Sequence, residues 1–553
     1  MARRRRRPFL NNKNKAPLAI WARALLVCYL LAWQAFALAQ APSAGPAFDV
    51  RRFDVAGATL VPRDEIDAAL SPFVGPDRTL ADLQRARVAL ETIYAQRGYG
   101  ATRVVLPEQE IKDGVVQLRV VEARLGRIAI EGNKFFDEAN VRASLPTLAL
   151  GQPLDTVRLA RELSLANESP VKQTTVVLKG GDSEGVVDAQ TRVADQRPYR
   201  FSLGLDNTGT PESGEYRVGV GFQEANMWNR DHVLNVQYVT SPSDPNHPSQ
   251  FALPPNKNVS IFGAGYHAPL YRLGDSVDVV AGYANVDSGV VQNLYNISGS
   301  GRVYAGRYNF GLPQVGQVEQ KLALGYDARY YDNSVVPVGG STTVVPDYVL
   351  HPLSLAYSGV WRGDADELSF IAAGVRNFPS GPNGDQAQFD VVRPGADARY
   401  TLARLNANWL HSFPQDLQAR VRFTGQYTRD ELLSGEQFGL GGMDSVRGFF
   451  ERQFAGDTGF SGTFEVYSPD LGGSAAPGVR VRLLAFYDYG RAWLNSPQVF
   501  EQRVTGIAAA GPGIRIAYKS EFSMRFDYGF VVAKGTPSNS ASGRANFSMV
   551  MVF

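Results

Sequence analysis

Cysteine is almost absent. Cys28 is the only one in 553 residues, so no intramolecular disulfide can form and a disulfide-stapled scaffold is excluded. Histidine is scarce too: His232, His247, His267, His351 and His411 stand singly, without metal-ligand spacing. They read as surface residues, and no metal or cofactor is expected. The first forty positions lack any acid and hold eight Lys/Arg. The remainder carries 48 basic against 54 acidic residues, a balance of −6 that offers nucleic acid nothing to bind. Beyond residue 40 no uninterrupted apolar run approaches the roughly 20 residues of a transmembrane helix. Residence in a membrane would therefore need a β-barrel or a surface contact.

What is present is 55 Gly, 24 Tyr and 30 Phe, with 44% hydrophobic and 20% charged residues. That much apolar material excludes a disordered chain, and the length calls for several domains or one large barrel. Arg3 to Arg7, Lys13 and Lys15 form a basic head, followed by a short apolar core from Ala24 to Ala37. Ala37-Leu38-Ala39 then supplies a small-x-small cleavage pattern, so residues 1–39 read as a signal peptide. Cys28 lies within it, and a cysteine-free mature chain needs no oxidation to fold in the periplasm.

Residues 48–198 contain one unit written twice, over 48–122 and 123–198. Phe53-Asp-Val-Ala-Gly57-Ala-Thr-Leu-Val61 aligns with Ile128-Ala-Ile-Glu-Gly132-Asn-Lys-Phe-Phe136, the glycines 75 residues apart. Val104-Val105-Leu106 then matches Val176-Val177-Leu178, and Gly114-Val115-Val116 matches Gly185-Val186-Val187. Leu83, Ala86, Leu90 and Ile93 mark one face of a helix. Each copy reads as strand, helices and a hairpin. This β-α-α-β-β plan resembles the POTRA domain, a periplasmic module found in front of outer-membrane barrels. Its exposed sheet edges could take up an extended client as an added strand, or the two copies could act as spacers.

Residues 199–553 alternate apolar with polar positions between Gly/Pro/Asn/Asp turns. Leu417, Ala419, Val421, Phe423 and Tyr427 form one such apolar face, and Phe522, Met524, Phe526, Tyr528 and Phe530 another. Lipid outside and water inside suit that pattern, and lipid forbids an open sheet edge. At roughly 22 residues per strand and turn, about 16 antiparallel strands are expected. The fold class is thus a transmembrane β-barrel preceded by two small α+β POTRA-like periplasmic domains. The chain stops on an alternating strand ending in Phe553, which resembles the signal read by the outer-membrane barrel assembly machinery.

Two short stretches decide the family. Gln437 to Phe449 contains Val446-Arg447-Gly448-Phe449, and Phe486-Tyr-Asp488-Tyr-Gly490 follows on a later strand. The first resembles the lid-loop signature of the two-partner secretion transporters, the haemolysin/adhesin secretion and activation family. The second resembles the Phe-x-Asp-x-Gly signature of the same superfamily. Asp206-Asn207 with Gly209 and Gly214 also fits. The resemblance implies an outer-membrane transporter of a Gram-negative bacterium, surrounded by lipid and lipopolysaccharide. Its POTRA-like domains would capture a large secreted partner protein for export through the barrel without ATP. A barrel insertase of the same superfamily is the alternative, and a passive porin would lack both repeats and lid signature.

The residues add a physical reading. On a strand, Asp488 shares a face with Phe486 and Gly490, and Tyr487 and Tyr489 face the other way. Tyrosines in lipid would put Asp488 inside, where it could hold Arg447 of a loop spanning about 428–460. The family often carries a plug helix before the first POTRA domain. Here only Gln40 to Ala47 precede the first repeat, so pore closure is expected to fall on the lid and other extracellular loops. Gly181-Asp-Ser183-Glu-Gly185 matches the Gly-x-Ser-x-Gly pattern of serine hydrolases. It is expected to join two hairpin strands instead of a strand and a helix, so no enzyme is read here.

Overall fold

A computed structural model describes residues 47–553, apart from 212, 244–246, 248, 286–288, 292–294, 298–299, 333–345, 474–475, 500, 537–538 and 540–541. The expected signal segment 1–39 lies outside the described residues. The chain divides into two compact units, one ending at Glu122 and one running from Ala123 to Phe553.

In the first unit the strand Arg52–Ala56 lies parallel to Val115–Val121, which pairs antiparallel with Arg103–Val105. Helices Arg63–Leu70 and Leu80–Gln96 join them. The longer helix opens on a capping box, with Thr79 accepting from the Asp82 amide and Asp82 returning the bond. Leu83, Ala86 and Leu90 are buried as the spacing requires. The fourth place goes to Tyr94, four residues after Leu90, and Ile93 is only partly buried.

The second unit begins with the same plan: Arg124–Glu131 parallel to Val186–Asp195, and Lys172–Gly180 antiparallel on its far side, with helices Glu138–Ser144 and Thr156–Ala166. The turn Gly181–Gly185 joins two antiparallel strands, so Ser183 lacks the strand-to-helix setting of a nucleophile. The aligned glycines explain the repeat physically. Gly57 and Gly132 sit at φ +81° and +88°, and a Cβ on them would meet the carbonyl oxygens of Val120 and Val193 at 2.4 and 2.5 Å. Two residues beyond each valine stands an acid that caps the amides following the glycine. Glu122 accepts from Leu60 at 2.8 Å, and Asp195 from Lys134, Phe135 and Phe136 at 2.8–3.0 Å. Glycine and acid together fasten each repeat's first and last strands.

From Tyr199 onward sixteen antiparallel strands close into a barrel, counting Tyr348–Leu350 and Pro352–Arg362 as one strand broken at His351. The last strand, Gly543–Val552, pairs with the first, Tyr199–Asp206, from Ser548↔Asp206 to Val552↔Ser202. Two sets of hydrogen bonds extend this short seam. Asn207 donates to the Ala545 carbonyl at 2.7 Å and accepts from the Phe547 amide at 2.9 Å. Phe553 exchanges backbone hydrogen bonds with Phe201 at 2.8 and 3.2 Å.

Large apolar side chains point outward, among them Leu203, Phe262, Tyr304, Leu355, Tyr487 and Phe530. Leu417, Val421, Phe423 and Tyr427 follow suit. Ala419, expected with them, is buried, because its methyl is screened by its register partners His411 and Val466. Four histidines expected at the surface are instead partly buried in pairs: His232 with Tyr266, His267 with Asp278, His351 with Ser380 and His411 with Asp366. Each imidazole shields its apolar ring while bonding a polar neighbour. Among the described residues no cluster of acids and histidines could hold a metal.

Candidate functional site: a loop fastened inside the barrel

The strand Val479–Trp493 alternates as its tyrosines demand. Tyr487 and Tyr489 are exposed outside, while Phe486 and Asp488 are buried on the inner face. The loop leaving Thr428 and returning at Thr458 carries a short hairpin, Phe438–Leu440 with Phe454–Gly456, and brings Arg447 to Asp488. Arg447 Nε and Nη2 donate to the two Asp488 oxygens at 2.7 and 2.8 Å, and the Arg447 amide adds a bond at 3.0 Å. Both side chains are buried to within 1%.

The sequence suggested one acid, and the structure supplies three. Arg447 Nη1 also donates to Glu465 at 2.8 Å and lies 3.5 Å from Asp527. These acids stand on the strands Thr458–Tyr467 and Phe522–Lys534. The guanidinium lies over the Phe486 ring, 3.4 Å from its centre. Glu465 was legible in principle: along Phe460-Ser-Gly-Thr-Phe464-Glu-Val466 it alternates with outward aromatics. Asp527 likewise faces away from Phe526 and Tyr528.

The other signature residues gather at the same place. Val446 and Phe449 are buried in an apolar cluster with Leu440, Ala492, Ile507 and Ala509. Gly448, at φ +93°, lies so close to the facing strand that a Cβ would sit 2.8 Å from the Gly529 carbonyl oxygen. A Cβ on Gly490 would meet Leu440 at 2.6 Å and Val446 at 3.1 Å. Gly448 thus lets loop and wall meet backbone to backbone, and Gly490 lets the loop's Leu440 and Val446 side chains rest directly on the wall. Phe553 stands apart, at the barrel seam.

A second anchor escaped the sequence. Glu436, buried at the root of the loop, pairs with Arg329 and accepts from Arg404 Nη2 at 2.8 Å. Its backbone carbonyl accepts from Gln426 at 2.9 Å. Asp457 accepts from the Leu432 and Asn495 amides at 3.0 and 2.9 Å. Leu432 and Leu433 pack with Tyr331, Tyr348, Phe389 and Tyr400. Arg329 belongs to the strand Val318–Tyr331, eight places around the ring from Phe522–Lys534. The loop is therefore held at opposite walls.

A sixteen-strand barrel facing lipid, an interior loop locked by buried charges and preceding α+β repeats define a repeat-bearing outer-membrane barrel. Residues 48–123 match the POTRA domain of ShlB type, and residues 367–516 match the haemolysin secretion/activation protein family ShlB/FhaC/HecB. Over these two stretches the chain is similar to the two-partner secretion family, whose POTRA domains are periplasmic. It is 22% identical to the outer membrane transporter CdiB of Dickeya dadantii (strain 3937), over 75% of this chain and 71% of that protein. It is 20% identical to the heme/hemopexin transporter protein HuxB of Haemophilus influenzae (strain ATCC 51907 / DSM 11121 / KW20 / Rd), over 83% and 79%. The solved structure of CdiB from Escherichia coli shares the fold with a TM-score of 0.73 at 20% identity, covering 93% of this chain and 92% of that one.

Proposed function

We propose that this protein captures a large secreted partner protein with its periplasmic repeats and exports it through the barrel lumen, with the loop around Arg447, locked inside, setting the width of the passage. The carrying observation is the seating of that loop. Arg447 has two hydrogen-bonded acids and a third nearby on three strands, at full burial. Breaking such a pair leaves an uncompensated buried charge, at a cost of about 3–5 kcal/mol. A loop fixed that firmly inside a channel must govern passage.

Capture uses the outer strands of the two repeat sheets, Arg103–Val105 and Lys172–Gly180, where an extended client can add itself by main-chain hydrogen bonds. The chain carries no nucleotide-binding motif, and folding of the client outside draws it through. Phe553, bonded into the closing seam, presents the last strand to the barrel assembly machinery, and the outward aromatic face meets lipid and lipopolysaccharide.

Deleting residues 48–122 tests the division of labour. Secretion of the co-produced partner should be lost while the single-channel conductance of the purified barrel stays unchanged. Undiminished secretion would assign the first repeat to spacing.

A further inference from the structure

The loop is fastened to opposite walls, yet the lumen is not filled. A cavity of about 630 Å³ lies between one face of the loop, at Met443, Asp444 and Glu451, and the strands Tyr199–Asp206, Arg217–Met227 and His232–Ser243. We propose that the exported chain crosses as an extended polypeptide through this corridor, beside the loop, which stays in its seat. The inference rests on the export reading above and adds the route.

Three observations carry it. The lining runs from Arg200 to Thr208. At about 3.3 Å per residue that is the full length of the first strand, and at a tilt of about 40° it covers about 20 Å of the roughly 25 Å height of a barrel's apolar band. The floor is also small and neutral, with Ser202, Gly204, Gly219 and Gly221 beside the amides of Gln223 and Gln237. Hydroxyl and amide groups can both donate and accept, so they can exchange bonds with any passing peptide group. Side chains this short let a backbone approach without gripping what it carries. Finally, both charge signs line the corridor, Arg200 and Arg525 against Asp206 and Asp444, so no field of one sign selects or stalls the client.

Gly204 provides the test. A Cβ there would meet nothing nearer than 3.9 Å, so bulk at this position enters the corridor without straining the wall. Asn406 is the control: it faces inward on the strand Thr401–Ser412, seven places around the ring by the shorter way. The full chain in a Cys28→Ala background, otherwise free of cysteine, is recorded in planar bilayers. An unfolded peptide of repeating glycine, asparagine and serine is added to the periplasmic side. Gly204→Trp should lower the basal current to roughly half and abolish peptide blockades. Asn406→Trp should leave both. Gly204→Cys, modified after assembly with a bulky methanethiosulfonate, should reproduce the loss in a barrel already folded. Persistent blockades in the modified Gly204→Cys protein would overturn the route, because a lumen emptied of its loop would bypass one side chain. Absence of blockades in the parent, with ionic current intact, would instead overturn the export reading itself.

Discussion

The two sides of the lumen are built in different ways. The wall from Thr401 to Lys534 is dense with ion pairs whose acids are buried: Arg404 with Glu436, Arg447 with Asp488 and Glu465, and Arg515 with Asp527. The wall from Tyr199 to Ser243 presents glycine, serine and neutral amides along its middle, with Arg200, Asp206 and Arg217 towards its ends. A charge taken out of water is costly alone and stable only with its partner in place, so paired charges fix one geometry. Small neutral groups fix none. One wall grips a loop and the other offers a surface over which a chain can slide. The joint between second repeat and barrel repeats the gripping chemistry, with Lys172 Nζ donating to Asp231 at 2.6 Å and to Asn140 at 2.8 Å, fully buried.

The comparison is broken most severely at Arg447. Arg447→Ala strips Asp488, Glu465 and Asp527 of their shared cation, removing about 3–5 kcal/mol of anchoring. Partner secretion should fall at least about tenfold, while heat-modifiable migration shows an assembled barrel. The exchange Arg447→Asp with Asp488→Arg should fail to restore secretion, because it sets an acid beside Glu465. Restoration would mean that the pair acts alone.

At the joint, Lys172→Met leaves Asp231 buried with only neutral partners, Asn140 and Tyr271. A loss of about 3 kcal/mol is expected, read as a lower thermal midpoint in detergent and faster proteolysis between the second repeat and Tyr199. Glu436→Gln is milder, since Arg329 keeps Asp327 at 2.6 Å. Conductance should rise, but less than when the tip of the loop is freed.

The smallest effect lies in the first repeat. Burial works to raise the Glu122 carboxyl, but hydrogen bonds from the Thr59 side chain and amide, Leu60 and Tyr94 outweigh it and hold it below its usual value. A lowered carboxylate stabilises the fold above its unfolded pKa and loses that contribution as pH falls through the folded value. Protection of the Thr59 and Leu60 amides against hydrogen exchange should therefore fade below about pH 4, and Glu122→Gln should show weak protection at every pH.

Elements repeated in sequence, or alternating along a strand, were legible before the structure. Gly57 and Gly132 showed the repeat because a crowded carbonyl tolerates no other residue. Tyr487 and Tyr489 showed which way Asp488 points, because lipid and water sort a strand by parity. Glu436 was not legible. It sits in a loop without period, and its partners Arg329 and Arg404 lie 107 and 32 residues away, on strands brought together only by barrel closure. The corridor was hidden for a related reason. A cavity belongs to no residue, and glycines that line one read in sequence like glycines of any strand.

Single-channel recording of Asp488→Ala tests the seating of the loop most directly. The substitution takes from Arg447 its bidentate partner and leaves Glu465. If that bond keeps the loop in the lumen, where it narrows the passage, basal conductance should rise well above the parent's, with flickering between levels as the freed loop leaves and regains its seat. A conductance identical to the parent's, in a barrel shown to be assembled, would mean that the Arg447–Asp488 bond does not hold the loop in the lumen.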